Sequence, residues 1–151
     1  MMETDLAMQL RETYQKITQI LQHKIDEYGL TFGLLFLTMH AEKKPNASQK
    51  ELAKMMRFTE GAMSVAVKRL INLDMIKQVP LESDMRHNRL VVTERGKSII
   101  DDYKDYVLKI YQDMFKGFTQ EELIRLSEAL TKLNNNLKHM DILNASDDII
   151  E

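Results

Sequence analysis

Side chains that could contact a polyanion are concentrated in the middle third of this 151-residue chain. Residues 46–100 contain ten Lys or Arg and six Asp or Glu, although the whole chain has a formal net charge of −2. The segments on either side, residues 1–45 and 101–151, each hold more acidic than basic side chains. Because attraction to a polyanion depends on local charge, this pattern indicates either a nucleic-acid-binding surface or a merely solvated basic face, and charge alone does not separate the two.

The composition excludes several kinds of chemistry. There is no cysteine, so disulfides, thiolate zinc sites, cysteine nucleophiles and thiol redox switches are ruled out. The four histidines, His23, His40, His87 and His139, lack the short paired spacing of a metal site. No phosphate-binding loop, nucleophile motif or HExxH pattern is present. We therefore expect a protein that is not an enzyme and needs no metal or cofactor.

The apolar residues predict one compact, cytoplasmic chain. The longest apolar stretch, around residues 34–39, is far shorter than the roughly 20 residues needed to span a bilayer. The N-terminus is acidic where a signal peptide would be basic. The chain has only five Gly and two Pro, the residues that most often form turns, so we expect mainly helix.

Two short helices are predicted within the basic segment. The run Ser48-Gln49-Lys50-Glu51 has the pattern of a capping box and predicts a helix that ends near Met56. Thr59 can cap the next helix, whose apolar positions Met63, Val67 and Leu70 recur at steps of four and three. Two short helices joined by about three residues form a helix-turn-helix.

The second helix of such a motif enters the major groove of DNA. If its apolar positions face the core, Ala62 and Val65 are suited to thymine methyl groups and Ser64 to a hydrogen bond with a base. Lys68 and Arg69 are better placed for phosphates, as are Gln49 and Lys50 at the start of the first helix.

A β-hairpin is predicted to follow. Residues 76–79 and 89–92 are short β-prone runs separated by a polar stretch. Arg86 on this wing could enter a narrow minor groove, and Asp84 could hold its guanidinium in place. The alternative for Asp84 and Arg86 is a surface ion pair of little energetic value.

Long helices are predicted on both sides of this region. Residues 6–28 carry a helical apolar stripe that includes Leu10 and Ile17, and Thr93 can cap another long helix. A capping box at Thr119 precedes a final helix with a narrow leucine seam. An intramolecular core stripe is one interpretation of such a seam, but seams at both ends favour a homodimer. The predicted dimer residues are Leu10, Ile17, Leu123, Leu126, Leu130, Leu133 and Leu137.

These motifs resemble the MarR (multiple antibiotic resistance regulator) family over nearly the whole chain. The matching segments are Ser48-Gln49-Lys50-Glu51-Leu52-Ala53, Gly61-Ala62-Met63-Ser64, Val67-Lys68-Arg69-Leu70, Asp84-Met85-Arg86 and Leu90-Val91-Val92-Thr93-Glu94-Arg95-Gly96. The resemblance implies recognition by residues 59–69 and minor-groove contact by Arg86. It departs at Met85, where the family often has a second arginine, and at Asp74, where it often has glycine. Asp74 can still adopt the left-handed conformation.

The resemblance also implies the fold and its division. The expected fold class is mainly α with a small β-hairpin wing: a winged helix-turn-helix, residues 31–97, flanked by long dimerisation helices in residues 1–30 and 98–151. Many members bind a small aromatic or anionic effector. The pocket residues implied here are Tyr14, His23, Phe32, Phe36, Tyr103 and Tyr106, with an ordinary core role as the alternative for each.

The sequence thus predicts a homodimeric transcriptional regulator that binds double-stranded DNA at a pseudo-palindromic operator, as a repressor released by a small ligand. Activation, ligand-independent regulation and a protein-binding winged helix are the alternatives. The candidate DNA-binding residues are Ser48, Gln49, Lys50, Thr59, Gly61, Ala62, Ser64, Val65, Lys68, Arg69, Asp84, Arg86 and Asn88.

Overall fold

The computed structural model describes residues 1–83 and 86–140. They form, in chain order, α1 (Met2–Glu27), α2 (Phe32–Lys43), α3 (Gln49–Met56), α4 (Glu60–Asn72), β1 (Ile76–Pro80), β2 (Asn88–Val92), α5 (Glu94–Met114) and α6 (Gln120–Lys138). The predicted fold class, helices with one antiparallel hairpin, is confirmed. The chain has two compact units, residues 1–109 and residues from 110 onwards. The predicted boundaries of the dimerisation and DNA-binding regions stay predictions.

Local capping sets where the helices begin. The Thr59 hydroxyl accepts from the Ala62 amide and acts as the predicted cap, and the Thr31 hydroxyl caps α2 by accepting from the Leu34 amide. Helix α1 ends before Gly29, whose φ of +72° lies in the left-handed region that glycine adopts readily.

Of the two predicted capping boxes, one is complete. The Thr119 hydroxyl accepts from the Glu122 amide at 3.1 Å, and the Thr119 amide donates to Glu122 Oε1 at 3.1 Å. At Ser48 only the first half forms, with Ser48 Oγ accepting from the Glu51 amide at 3.0 Å. The prediction of a full box there was wrong, since Glu51 does not return a bond to the Ser48 amide; the backbone at Ser48 lies in an antiparallel bridge with Arg89 of the hairpin.

The core of the first unit joins every element from the end of α1 to the first half of α5. The side chains that face it are apolar and almost fully enclosed, and burial of this kind is the main favourable term in folding. Fully buried members include Ile25, Leu35, Leu37, Leu52, Met63, Leu70, Met75, Ile76, Leu90 and Ile100.

The hairpin is tied to α5 through the loop after α4. Asp74 has φ of +56°, so it adopts the left-handed conformation predicted for it. The Thr93 amide donates to Met75 O at 3.0 Å, and the Thr93 hydroxyl donates to Asp74 O at 2.6 Å. The same hydroxyl accepts from the Gly96 amide at 3.0 Å, which confirms Thr93 as the cap of α5.

The second unit contains α6, in which no residue is buried. Before α6, the rings of Phe115 and Phe118 stack edge-on with centroids 5.7 Å apart. Along the described ranges, no helix is both long enough and apolar enough to cross a membrane.

Candidate nucleic-acid interface

A tight turn joins α3 to α4. Arg57 ends α3 in the left-handed conformation, with φ of +56°, and the Phe58 amide donates to Ala53 O at 2.9 Å. The connection between the two helices is therefore three residues long, from Arg57 to Thr59. This is the predicted helix-turn-helix, with α4 as the second helix.

Helix α4 has one buried and one exposed face. Met63, Val67 and Leu70 are 1%, 2% and 0% exposed, so they anchor the helix in the core as predicted. Val65, on the other side, is 68% exposed although it is apolar. The exposed face carries the predicted candidates Gly61, Ala62, Ser64, Val65, Lys68 and Arg69, along with the cap Thr59 and Glu60.

The candidates at the start of α3 have different surroundings. Lys50 is exposed and Gln49 is partly exposed. Ser48, in contrast, is only 6% exposed, and its hydroxyl is used in the cap of α3. Its side chain therefore positions α3, and its contact with DNA stays a prediction.

The wing presents its predicted candidates to solvent. Arg86 and Asn88 are exposed, and the Leu81 amide donates to His87 O at 2.9 Å across the hairpin. The bridge between Ser48 and Arg89 joins the hairpin to the start of α3. Asp84 lies outside the described residues, so its pairing with Arg86 stays a prediction.

Sequence reasoning missed two polar residues beside these candidates. Lys54 and Gln78 line a surface cleft together with Gln49, Lys50 and Arg86. Lys54 lies four residues after Lys50, so both lysines share one helix face. This spacing could have indicated Lys54 as a further candidate. No sequence pattern near Gln78 indicates that it lines the cleft, because its position there depends on how the hairpin packs against α3.

The residues predicted to bind a ligand are not brought together in one site. Tyr14 is 70% exposed, whereas Tyr103 is 6% exposed and belongs to the core. The rings of Phe32 and Phe36 pack with centroids 5.5 Å apart. His23 and Phe36 line two different surface cavities. The effector site therefore stays a prediction.

Tyr106, the sixth of these residues, contributes to a polar cluster between α1 and α5. Lys24 Nζ lies 5.2 Å from the centroid of the Tyr106 ring and 5.4 Å from that of Tyr28. It also lies 3.5 Å from Asp102 Oδ2, and the Tyr28 hydroxyl donates to the same carboxylate. The hydrogen bond from Tyr28, aided by the charge of Lys24, lowers the pKa of Asp102. Burial and the Asp102 contact raise the pKa of Tyr28.

The predicted dimer residues leave apolar surface uncovered within each unit. Leu10 in α1 is 40% exposed and Ile17 is partly exposed. In α6, Leu126, Leu130 and Leu137 are 36%, 37% and 40% exposed, and Leu123 and Leu133 are partly exposed.

Across residues 1–83 and 86–140, no group of three or more His, Asp or Glu side chains could hold a metal ion.

Comparison with known proteins finds a relative by sequence and solved structures that each match most of the chain. No protein-family model matches the chain. The HTH-type transcriptional regulator BilQ of Clostridium symbiosum is 28% identical over 119 residues, which span 79% of this chain and 83% of that protein.

Solved structures show the same fold. The YusO protein of Bacillus subtilis has a TM-score of 0.79 at 21% identity, covering 89% of this chain and 95% of that one. The MepR–DNA complex of S. aureus has a TM-score of 0.74 at 17% identity, covering 84% and 96%. A MarR family protein from Bacillus stearothermophilus has a TM-score of 0.73 at 18% identity, covering 89% and 94%. The chain, as its motifs indicate, therefore has the winged helix-turn-helix fold of the MarR family.

Proposed function

We propose that the chain is a cytoplasmic, non-enzymatic transcriptional regulator that binds specific sequences in double-stranded DNA. The observation that carries this proposal is the exposed face of α4. Its small side chains, Gly61, Ala62 and Ser64, permit close approach to base edges, while Lys68 and Arg69 can contact flanking phosphates. The similarity to an HTH-type transcriptional regulator and to MepR solved with DNA supports the same function.

The regulator is a homodimer in this proposal. Helix α6 has no buried residue and exposes part of its leucine seam, and α1 separately exposes apolar residues along its first half. This apolar surface of each helix would stay exposed to water, which is unfavourable, unless a second copy covers it. Two recognition helices related by a two-fold axis address half-sites about 34–36 Å apart, so the operator is a pseudo-palindrome.

The protein represses transcription when its operator overlaps a promoter, and activates transcription when the operator lies upstream.

A small aromatic anion is the proposed effector. A cavity of about 440 Å³ supports this chemistry, because Phe36 and Met39 line it and its two lysines, Lys43 and Lys104, outnumber its one carboxylate, Glu42. Such a ligand releases DNA only if it binds the DNA-incompetent conformation more tightly. Aromatic carboxylates should then lower DNA affinity and raise the thermal unfolding midpoint; no effect on either would indicate ligand-independent regulation.

Selection from random duplex DNA tests the function directly. Purified protein is mixed with a random duplex pool across a salt series, and the retained sequences are determined. We expect an enriched inverted repeat whose retention falls steeply with salt. Enrichment of a single half-site would contradict the dimer. Absence of both enrichment and salt-dependent retention would contradict DNA binding and favour a protein-binding winged helix.

A further inference from the structure

A cleft of about 540 Å³ separates α3 from the wing. One wall is the face of α3 that contains Gln49, Lys50 and Lys54. The other wall is formed by Gln78 of β1 and by Arg86, His87 and Asn88, where the loop of the wing enters β2. The cleft therefore lies between the two parts of the motif that carry the proposed DNA contacts.

The charge on these walls is predominantly positive. Lys50, Lys54 and Arg86 line the cleft, whereas Glu60 is its single carboxylate among the described residues. Neither lysine forms an ion pair within the described part of the chain. Lys50 also lies in the first turn of α3, where the helix dipole favours an anion. Lys50 and Lys54 on one wall, with the positive potential of Arg86 near the other, suit a phosphate group in the cleft.

Gln78 fixes how the Gln49 side chain is presented. Gln78 Nε2 donates to Gln49 Oε1 at 2.6 Å. Since the carbonyl oxygen of the Gln49 amide is thereby used as an acceptor, its NH₂ group remains as the donor. An NH₂ group donates to phosphate oxygens, whereas a carbonyl oxygen would repel them. The contact with Gln78 thus selects the orientation of Gln49 that suits an anion.

We propose that this cleft seats one backbone phosphate of the bound DNA, that Lys54 contacts that phosphate, and that Gln78 is a positioning residue acting through Gln49. The inference rests on the proposed DNA binding and adds two residues to it. The cleft is an open groove that runs from the start of α4 to the wing, so a continuous DNA strand fits it better than a small free anion.

The role of Lys54 is tested by comparing Lys54→Met with Lys77→Met. Lys77 is an exposed lysine beside Gln78 that does not line the cleft, so both variants lose one charge from the same region. We expect Lys54→Met to weaken binding to specific and random duplex by about five- to tenfold at about 0.1 M salt, and to reduce the salt slope by about one. Lys77→Met should retain the wild-type slope. Equal slopes for both variants would overturn the contact.

A double-mutant cycle tests Gln78. We expect Gln49→Ala and Gln78→Ala each to weaken DNA binding about threefold to tenfold without changing the unfolding midpoint. The double variant should bind as well as Gln49→Ala alone, because Gln78 acts only through Gln49. Additive losses, or no loss in either variant, would overturn the positioning role. If wild-type protein binds no duplex at all, the proposed function itself fails; if it binds and only these variants disagree, the cleft alone is refuted.

Discussion

At the scale of single residues, Arg86 has the most specific proposed role, a minor-groove contact from the exposed wing. Arg86→Ala should weaken binding to operator and random duplex alike and make the salt dependence shallower by about one unit of slope. Fluorescence anisotropy across a salt series measures both quantities. Arg125→Ala is the control, because Arg125 pairs with Glu121 on α6, away from the helix-turn-helix in sequence. An Arg86→Ala variant with wild-type affinity and slope would remove the wing from DNA binding.

Asp102 gives a residue-scale prediction about stability. Its pKa is lowered from 3.8, chiefly by the hydrogen bond from Tyr28 and further by the charge of Lys24. A lowered folded-state pKa means that the ionised form stabilises the fold, and that this stability is present above 3.8 and lost as pH falls through the folded value. Asp102→Asn should therefore unfold at a lower temperature than wild type at neutral pH, with the difference shrinking below pH 3.8.

Thermal unfolding between acidic and neutral pH checks this expectation. Asp101→Asn is the matched control, since Asp101 is an exposed neighbour without an ion pair in the described ranges. Its unfolding midpoint should follow that of wild type at each pH. If both variants behaved alike, the contact of Tyr28 and Lys24 with Asp102 would contribute nothing to the joint between α1 and α5.

At the scale of elements, the packing of α5 against the loop before β1 depends on Gly96. A Cβ at this position would lie 2.4 Å from Met75 O and 2.7 Å from Val92 Cγ1. The backbone of Met75 cannot move aside as a flexible side chain can, so the clash with the new Cβ persists. Gly96→Ala should therefore destabilise the fold by about 1–3 kcal/mol. Urea unfolding measures the loss.

Gly61→Ala provides the comparison for that measurement. A Cβ at Gly61 meets no atom within 4 Å, and alanine is the better helix former, so this variant should be slightly more stable than wild type. If Gly96→Ala were equally stable, α5 would not approach the Met75 backbone as closely as the structure shows. The G in the T-E-R-G motif is thus explained by packing rather than by DNA contact.

Elements governed by local rules were predictable from the sequence. Thr31, Thr59 and Thr119 cap helices because their hydroxyls reach amides three residues ahead, which the sequence displays. Features that depend on distant chain segments were not predictable. The backbone bridge from Ser48 to Arg89 and the contact of Gln49 with Gln78 both form only because the hairpin packs beside α3.

The same distinction applies to the candidate site. The exposed face of α4 was predictable because the spacing of Met63, Val67 and Leu70 fixes which side is buried. The second wall of the cleft was not predictable, because it forms only where the tertiary fold places the wing beside α3. The proposed pocket residues, such as Tyr14 and Tyr103, have no common local pattern, and within one chain they do not form a site.

At the scale of the whole molecule, the proposed DNA binding requires two copies, and α6 offers the sharpest test of that requirement. Leu126, Leu130 and Leu133 recur at steps of four and three, so they share one helix face, whereas Ile124 lies on the opposite face. Leu130 and Ile124 are 37% and 50% exposed, so a charge at either position is tolerated by the chain on its own.

Leu130→Glu should convert the dimer to a monomer, because the carboxylate would be buried against the second copy without a partner. Ile124→Glu should leave the dimer intact, since that face remains in water. Sedimentation velocity over a range of concentrations measures the oligomeric state, and circular dichroism checks that both variants keep their helices. The Leu130→Glu monomer should also lose preference for an inverted repeat over a single half-site, because two linked recognition helices are needed for that preference. A dimeric Leu130→Glu variant would move the interface away from the seam of α6.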